Sequence, residues 1–333
     1  MFRFGFADPK ADPKAEAPSD GQGEAPVDHI PAEEVLESEG VVSNAQAASI
    51  LSDERVEEND LIAGVYEGGF KTWEGGLDLA QFVALQLQRR PAAAGDHQQP
   101  AAPQDEAQQQ QQQQGQAEEA RQEQQWAAQL GPGSRVMELG CGHGLPGLVA
   151  LWAGAEVHFQ DYNRSVLTTL TMQNVAANRS AWATRRQAAA AAAGPAAGPT
   201  AAAGAAAAGA AASSSGPLDA AGARYFSGSW DSLPGLLEEL GLQHSYDLVL
   251  TAETIYSLEA MRSLYRAIKA CLRPGSGAAL VAAKSYYFGV GGGTAAFTQL
   301  VREDGRFSCE QVAVIDDGAS NKREILLVAP LPA

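Results

Sequence analysis

The chain predicts an α/β domain with a mostly parallel sheet covered by helices on both faces. Three observations carry that expectation. Short apolar runs of strand length alternate with longer segments whose apolar residues recur at helical spacing. A glycine-rich turn, Gly140–Gly147, follows the apolar run RVMEL and opens a helical segment. The last two apolar runs are joined only through Asp316-Asp317-Gly318, so they should form an antiparallel hairpin at one edge of the sheet.

Arg135–Leu139 is the first buried-type strand, and Leu145–Ala153 continues as a helix behind the glycine turn. Glu156–Gln160 is a short strand, and Ser165–Asn178 a helix with Val166, Leu167, Leu170 and Val175 as its apolar positions. Arg224–Phe226 (strand) precedes Leu233–Leu240 (helix), and Tyr246–Thr251 reads YDLVLT, a strand buried on both faces. The helix Leu258–Leu272 stops at Arg273-Pro274-Gly275, because proline cannot continue it. Ala278–Lys284 (strand), Thr294–Glu303 (helix), and the strands Phe307–Ile315 and Arg323–Ala329 complete the series. Upstream, Trp73 and Glu74 precede a helix whose apolar face is expected at Leu77, Phe82 and Leu85.

Of 333 residues, 40 are Asp or Glu and 23 Lys or Arg, a net charge of −17. Residues 1–60 hold 15 of the acidic side chains and 4 of the basic ones, yet the remainder stays acidic. The basic footprint of a nucleic-acid-binding protein is therefore missing, and no direct nucleic-acid partner is expected. Residues 1–59 are rich in Ala and Pro and poor in large apolar side chains, so an acidic disordered tail is expected. The folded domain then covers 60–333, with low-complexity insertions at about 90–129, which includes Gln108–Gln114, and 183–217, which is nearly all Ala, Gly, Ser and Pro. Both belong in surface loops. Three cysteines without a CxxC pair exclude a disulfide framework, and no cluster has zinc-ligand spacing, so no metal is expected. With neither a signal-type apolar segment nor a membrane-length apolar run, a soluble, intracellular protein is expected.

The sharpest motif is RVMELGCGHGLPG, Arg135–Gly147. Gly142, Gly144 and Gly147 satisfy G-x-G-x-x-G, the dinucleotide fingerprint, which is weak alone. Glu138 at the strand end fits better with an acidic-x-G-x-G-x-G loop through Gly140, Gly142 and Gly144, whose carboxylate faces the cationic end of a ligand. Asp161 ends the next strand, where a carboxylate either accepts from both ribose hydroxyls or serves a turn. Trp73 either caps the core or walls the ligand, and Trp230 in FSGSW stands at the expected adenine position or in the core. Glu253 and Tyr256, in TAETIY, end the fourth strand, where open α/β sheets bind ligands. Glu253 either acts on the acceptor or serves a helix dipole. KSYYFGVGGG, Lys284–Gly293, is not a phosphate loop and suits either a mobile rim over an acceptor or a plain loop.

Taken in order, GVYEGGFKTWEGGLDLA, ELGCGHGLPG, VHFQDYN, FSGSW, YDLVLTAETIY and AAKSYYFGVGGG resemble the eukaryotic protein-histidine N-methyltransferases of the seven-β-strand, class I methyltransferase superfamily. The resemblance spans the domain and none of the biased segments. It departs at Glu138, where Asp is usual, and at His143, where the residue is usually small or hydroxylated. It implies a Rossmann-like, seven-stranded sheet with one antiparallel edge-region strand, and S-adenosyl-L-methionine as cofactor. The contacts it implies fall at Thr72, Trp73, Glu74, Gly75 and Gly76, at Gly140, at Gln160, Asp161 and Tyr162, at Gly228, Ser229 and Trp230, and at Ala252. The implied substrate is a histidine of a large-subunit ribosomal protein, methylated at its tele nitrogen by a monomer. Glu253 is the first candidate for the acidic group beside the imidazole, Glu74 the second, with Tyr256 lining the acceptor pocket. Two rivals stay open. A protein-lysine methyltransferase would use Tyr256, Tyr286, Tyr287 and Phe288 as an aromatic channel. A non-catalytic module would bind the cofactor without turnover.

Overall fold

A computed structural model of the chain describes residues 31–35, 68–89, 126–178, 222–318 and 321–331. The expected acidic tail apart from 31–35, the glutamine run and the alanine-rich segment lie outside the described residues. Eight strands form one sheet: β1 (Glu33–Val35), β2 (Arg135–Leu139), β3 (Glu156–Asp161), β4 (Ala223–Ser227), β5 (Leu248–Ala252), β6 (Ala278–Lys284), β7 (Phe307–Ile315) and β8 (Arg323–Pro330). Their spatial order is β1-β4-β3-β2-β5-β6-β8-β7. Strands β4, β3, β2, β5 and β6 pair in parallel. β8 runs antiparallel between β6 and β7, closing the edge as the expected hairpin. The seven strands from β2 onward therefore form the expected Rossmann-like sheet with one antiparallel member. β1 is an eighth, antiparallel to β4, and it corrects the expectation that residues 1–59 hold no structure.

Strands buried on both faces need apolar side chains at every position, and β2 shows why RVMEL is continuous. Val136 enters the core under α1 (Glu74–Gln88) and α2 (Leu145–Ala153), while Met137 enters the opposite core. A third helix, α3, starts at Arg164–Val166, passes through a π-helical turn at Leu167–Thr171 and continues to residue 178 on the first face. The second face is covered by α4 (Leu233–Glu239), α5 (Leu258–Cys271) and α6 (Thr294–Asp304), with Leu237, Leu264, Ile268 and Phe297 in the core. Tyr246 makes only an isolated bridge to Leu272, so β5 begins two residues later than YDLVLT suggests.

Two expectations need correction. The buried face of α1 is Gly75, Leu79 and Val83, whereas Leu77 and Leu85 are 45% and 49% exposed. EGGLDLAQFVALQLQ carries apolar residues on more than one side, so periodicity allows two stripes and the sheet selects one. The core also resumes earlier than expected. Trp126 and Ala127 are buried within a helical turn at 126–129, and Trp126 stacks on Phe82 with ring centroids 6.1 Å apart.

Candidate active site

The strand order reverses between β2 and β5, and at such a switch point the loops leaving the carboxyl ends of the strands part and open a crevice. A cavity of about 550 Å³ opens there. Its wall is built from Glu138, Gly140 and Gly142 after β2, Asp161 and Tyr162 after β3, and Gly228, Ser229 and Trp230 after β4. Ala252, Glu253, Thr254 and Tyr256 follow from β5, Lys284 and Tyr287 from the end of β6, and Thr72, Trp73 and Gly76 from the entry to α1.

The glycine turn is dictated by close approach. Gly140 has φ 61°, and a Cβ there would lie 2.8 Å from Thr254 Cγ2. Gly142 has φ 48°, and a Cβ would meet the carbonyl oxygen of Gly69 at 3.1 Å. A side chain at either position would strain the backbone and crowd the neighbouring loops. Gly144, also left-handed, starts α2 but packs against Thr171 and Phe159 and does not line the cavity. His143 fits the loop: its Nε2 lies 3.1 Å from Thr72 Oγ1 and 3.2 Å from the Phe70 carbonyl, tying the turn to the segment before α1.

Glu138 is buried, and its Oε2 accepts from the Gly147 amide at 2.8 Å. Gly144, the N-cap of α2, has no side chain to cap the helix, so Glu138 supplies an acceptor to its first turn. Burial pushes the Glu138 carboxyl up to about 8, against the Gly147 hydrogen bond, with the Asp161 charge adding to the rise. Asp161 serves two loops, accepting from Gly142 N at 2.9 Å and from Asn163 N at 3.1 Å. Its turn role and its place in the cavity wall hold together.

Gln160 works from behind the wall. Its Oε1 accepts from Trp230 Nε1 at 2.8 Å and from Gly140 N at 3.3 Å, and its Nε2 donates to the Gly228 carbonyl at 2.8 Å. The side chain thus joins three loops that bound the cavity without lining it. Trp230 lines the cavity while packing partly against the second core. Trp73 also faces the cavity, its indole donating to the Gly68 carbonyl at 3.0 Å, with Lys71 Nζ 4.6 Å from its ring centroid.

Glu253 sits at the turn leaving β5 with φ 58°, a left-handed conformation that costs a non-glycine residue energy and clusters at functional sites. Its side chain is buried. Oε1 accepts from Gly75 N at 3.2 Å, and Oε2 accepts from the Tyr287 hydroxyl at 2.5 Å. Gly75 lies in the first turn of α1, whose N-cap Trp73 offers no side-chain cap, so the macrodipole read for Glu253 is that of α1. Burial raises the Glu253 carboxyl above the ordinary carboxylate range, opposed by the Tyr287 hydrogen bond, the Lys284 charge and the Gly75 amide. The structure separates Glu253 from its rival: Glu74 is half exposed, its carboxylate 3.5 Å from Arg323, and it does not line the cavity. Gly75 does not line it either; a Cβ there would meet Glu253 Oε1 at 2.7 Å, so it makes room for that carboxylate.

The aromatic channel expected for a lysine acceptor is not assembled. Tyr256 and Tyr287 line the cavity, whereas Tyr286 and Phe288 are 49% and 59% exposed and pack edge to face on one another. Lys284 and Thr254 line the cavity without any signal in the sequence, and Tyr287 stands out there only as one of the channel aromatics. Its partnership with Glu253 exists only once the loop folds back over that carboxylate.

No protein-family profile matches the chain. It is 29% identical over 271 residues to a histidine protein methyltransferase 1 homolog of Dictyostelium discoideum, covering 81% of this chain and 60% of that protein. A Rattus norvegicus protein of the same name is 31% identical over 271 residues, covering 81% and 59%. The chain thus spans about 60% of the length of these curated relatives. Among solved structures, magnesium protoporphyrin IX methyltransferase from Synechocystis PCC 6803 is similar at 14% identity and a TM-score of 0.39, covering 78% of this chain and 95% of that one, a likeness too loose to bear on the site. What the sequence comparisons give is similarity to proteins named for histidine methylation, along four fifths of this chain.

Proposed function

We propose that the chain is an S-adenosylmethionine-dependent protein-histidine N-methyltransferase acting on the tele nitrogen of a histidine in a large-subunit ribosomal protein. The observation that carries the reading is Glu253, a buried carboxylate on strained backbone, facing the cavity beside the glycine turn. The names of the relatives support it. S-adenosylmethionine, when bound, supplies an electrophilic methyl group on a cationic sulfonium. The residues present fit such a ligand: Gly140 and Gly142 bring backbone without side chains to the cavity wall, Asp161 lines the same wall, and Glu138 offers a carboxyl to a cation.

An imidazole has a pKa near 6.5, so it is largely neutral at pH 7 and needs no strong base before attack. The protein's task is to hold the ring in line and to meet the charge that develops on it. Glu253 can accept the N–H of the second ring nitrogen and offset that charge. Two tests follow. Isotopically labelled S-adenosylmethionine and fractionated ribosomal proteins should yield methylhistidine in a large-subunit band; methyllysine would transfer the chain to the rival reading, and no label despite binding would favour a non-catalytic module. Glu253→Gln should lower turnover on the order of 10²-fold and leave cofactor affinity nearly unchanged; equal losses in both would make it a structural residue.

Glu138 gives a separate prediction. With its carboxyl raised to about 8, it holds a proton at pH 7, and a cation arriving beside it expels that proton. Calorimetry of S-adenosylmethionine binding at pH 7, in buffers of different ionisation enthalpy, should report release of up to about one proton, and Glu138→Gln should abolish the difference. Affinity accordingly rises with pH between roughly 5 and 8. Equal heats in both buffers would place the ligand's charge elsewhere.

A further inference from the structure

The glycines of KSYYFGVGGG have a packing role. Tyr287 N donates to the Gly292 carbonyl, Gly292 N to the Tyr256 carbonyl and Gly293 N to the Ile255 carbonyl, at 3.2, 3.1 and 2.9 Å. A Cβ at Gly292 would collide with the backbone of Ile255 and Tyr256, and one at Gly293 with that of Ser285 and Tyr286. Only an unsubstituted backbone lets this loop lie flat against the turn that leaves β5. Lying there, it carries Tyr287 back to Glu253, while the Tyr287 oxygen accepts from Lys284 N at 3.3 Å.

We propose that Tyr287 is a positioning residue, one whose hydroxyl fixes the orientation of the Glu253 carboxylate toward the acceptor and favours its charged form; the inference rests on the reading of Glu253 above. Each carboxylate oxygen takes one donor, Oε2 the Tyr287 hydroxyl and Oε1 the Gly75 amide, so rotation about the last side-chain bond breaks both. Two donors to one carboxylate stabilise its charged form against burial. Tyr287 remains a donor throughout, since burial and the neighbouring Glu253 raise its own pKa well above the tyrosine value. The charged groups facing Glu253 are Lys284 at the end of β6, which favours ionisation, and Glu74 of α1, which opposes it.

Tyr287→Phe removes one oxygen and retains the ring. Glu253 should then titrate about one pH unit higher, the equivalent of one ordinary hydrogen bond. The titration is read from the carboxyl stretch by infrared difference spectroscopy of the full chain against Glu253→Gln. Methyl transfer should fall roughly tenfold in kcat, its acid limb moving to higher pH, with cofactor Kd unchanged. Gly292→Ala should act in the same direction by lifting the loop. The infrared readout needs no turnover, so it tests the pair even if the chain proves inert toward histidine. An unshifted carboxyl band in Tyr287→Phe would overturn the proposal, as would a loss confined to cofactor affinity.

Discussion

Glu34→Ala should destabilise the chain by about 3 kcal/mol, the scale for breaking a buried ion pair from one side. Arg224 on β4 is 1% exposed at its side chain, and its Nε and Nη2 donate to Glu34 Oε1 and Oε2 at 2.7 and 2.8 Å. Removing Glu34 leaves a buried guanidinium whose Nη1 already has no hydrogen-bond partner among the described residues. Arg224→Met should be far milder, and the double substitution should recover most of the loss, because an apolar pair needs no counter-charge. Urea unfolding of the four proteins measures this. Additive losses would mean that the pair does not couple. The effect should reach the cavity too, since a Cβ at Gly228 would collide with Pro31 and Ala32, placing the segment leading into β1 directly behind the Gly228–Trp230 wall.

Gly147→Ala should lower cofactor affinity at least tenfold and cost about 1–3 kcal/mol of stability. A Cβ in the first turn of α2 would collide with Glu138 Oε2 and Phe159 Cε1, both buried. Neither can retreat: Glu138 is anchored to the Gly147 amide, and Phe159 stacks on Tyr225 with centroids 5.7 Å apart. Gly235→Ala in α4, where a Cβ meets nothing within 4 Å, is the control and should stabilise by about 0.5–1 kcal/mol. Calorimetric titration with S-adenosylmethionine and thermal unfolding read the two effects. Unchanged affinity would separate the loop from the ligand.

The part of the site legible in the sequence is the part written in consecutive residues. Glu138, Gly140 and Gly142 share one strand-to-helix turn, and Asp161 ends the next strand, so backbone geometry alone places them on one edge. Gln160 and Glu74 show where that legibility stops. They stand in the right motifs, yet Gln160 braces three loops from behind and Glu74 turns out toward Arg323. Which way a side chain leaves its backbone depends on the partner that reaches it, and those partners lie 20 to 249 positions away.

The sequence by itself determined the alternation of strands and helices, the parallel order that follows from it, and the glycine turn at the switch point. These rest on local terms, apolar period and backbone freedom, which neighbouring residues settle among themselves. The tertiary structure decided the rest: the buried stripe of α1, the pairing of Glu34 with Arg224 that makes β1 a strand, and the fold of the rim loop that sets Tyr287 on Glu253. Each depends on burying a charge or an apolar face against a distant element, a free energy that exists only once the sheet has brought the two together.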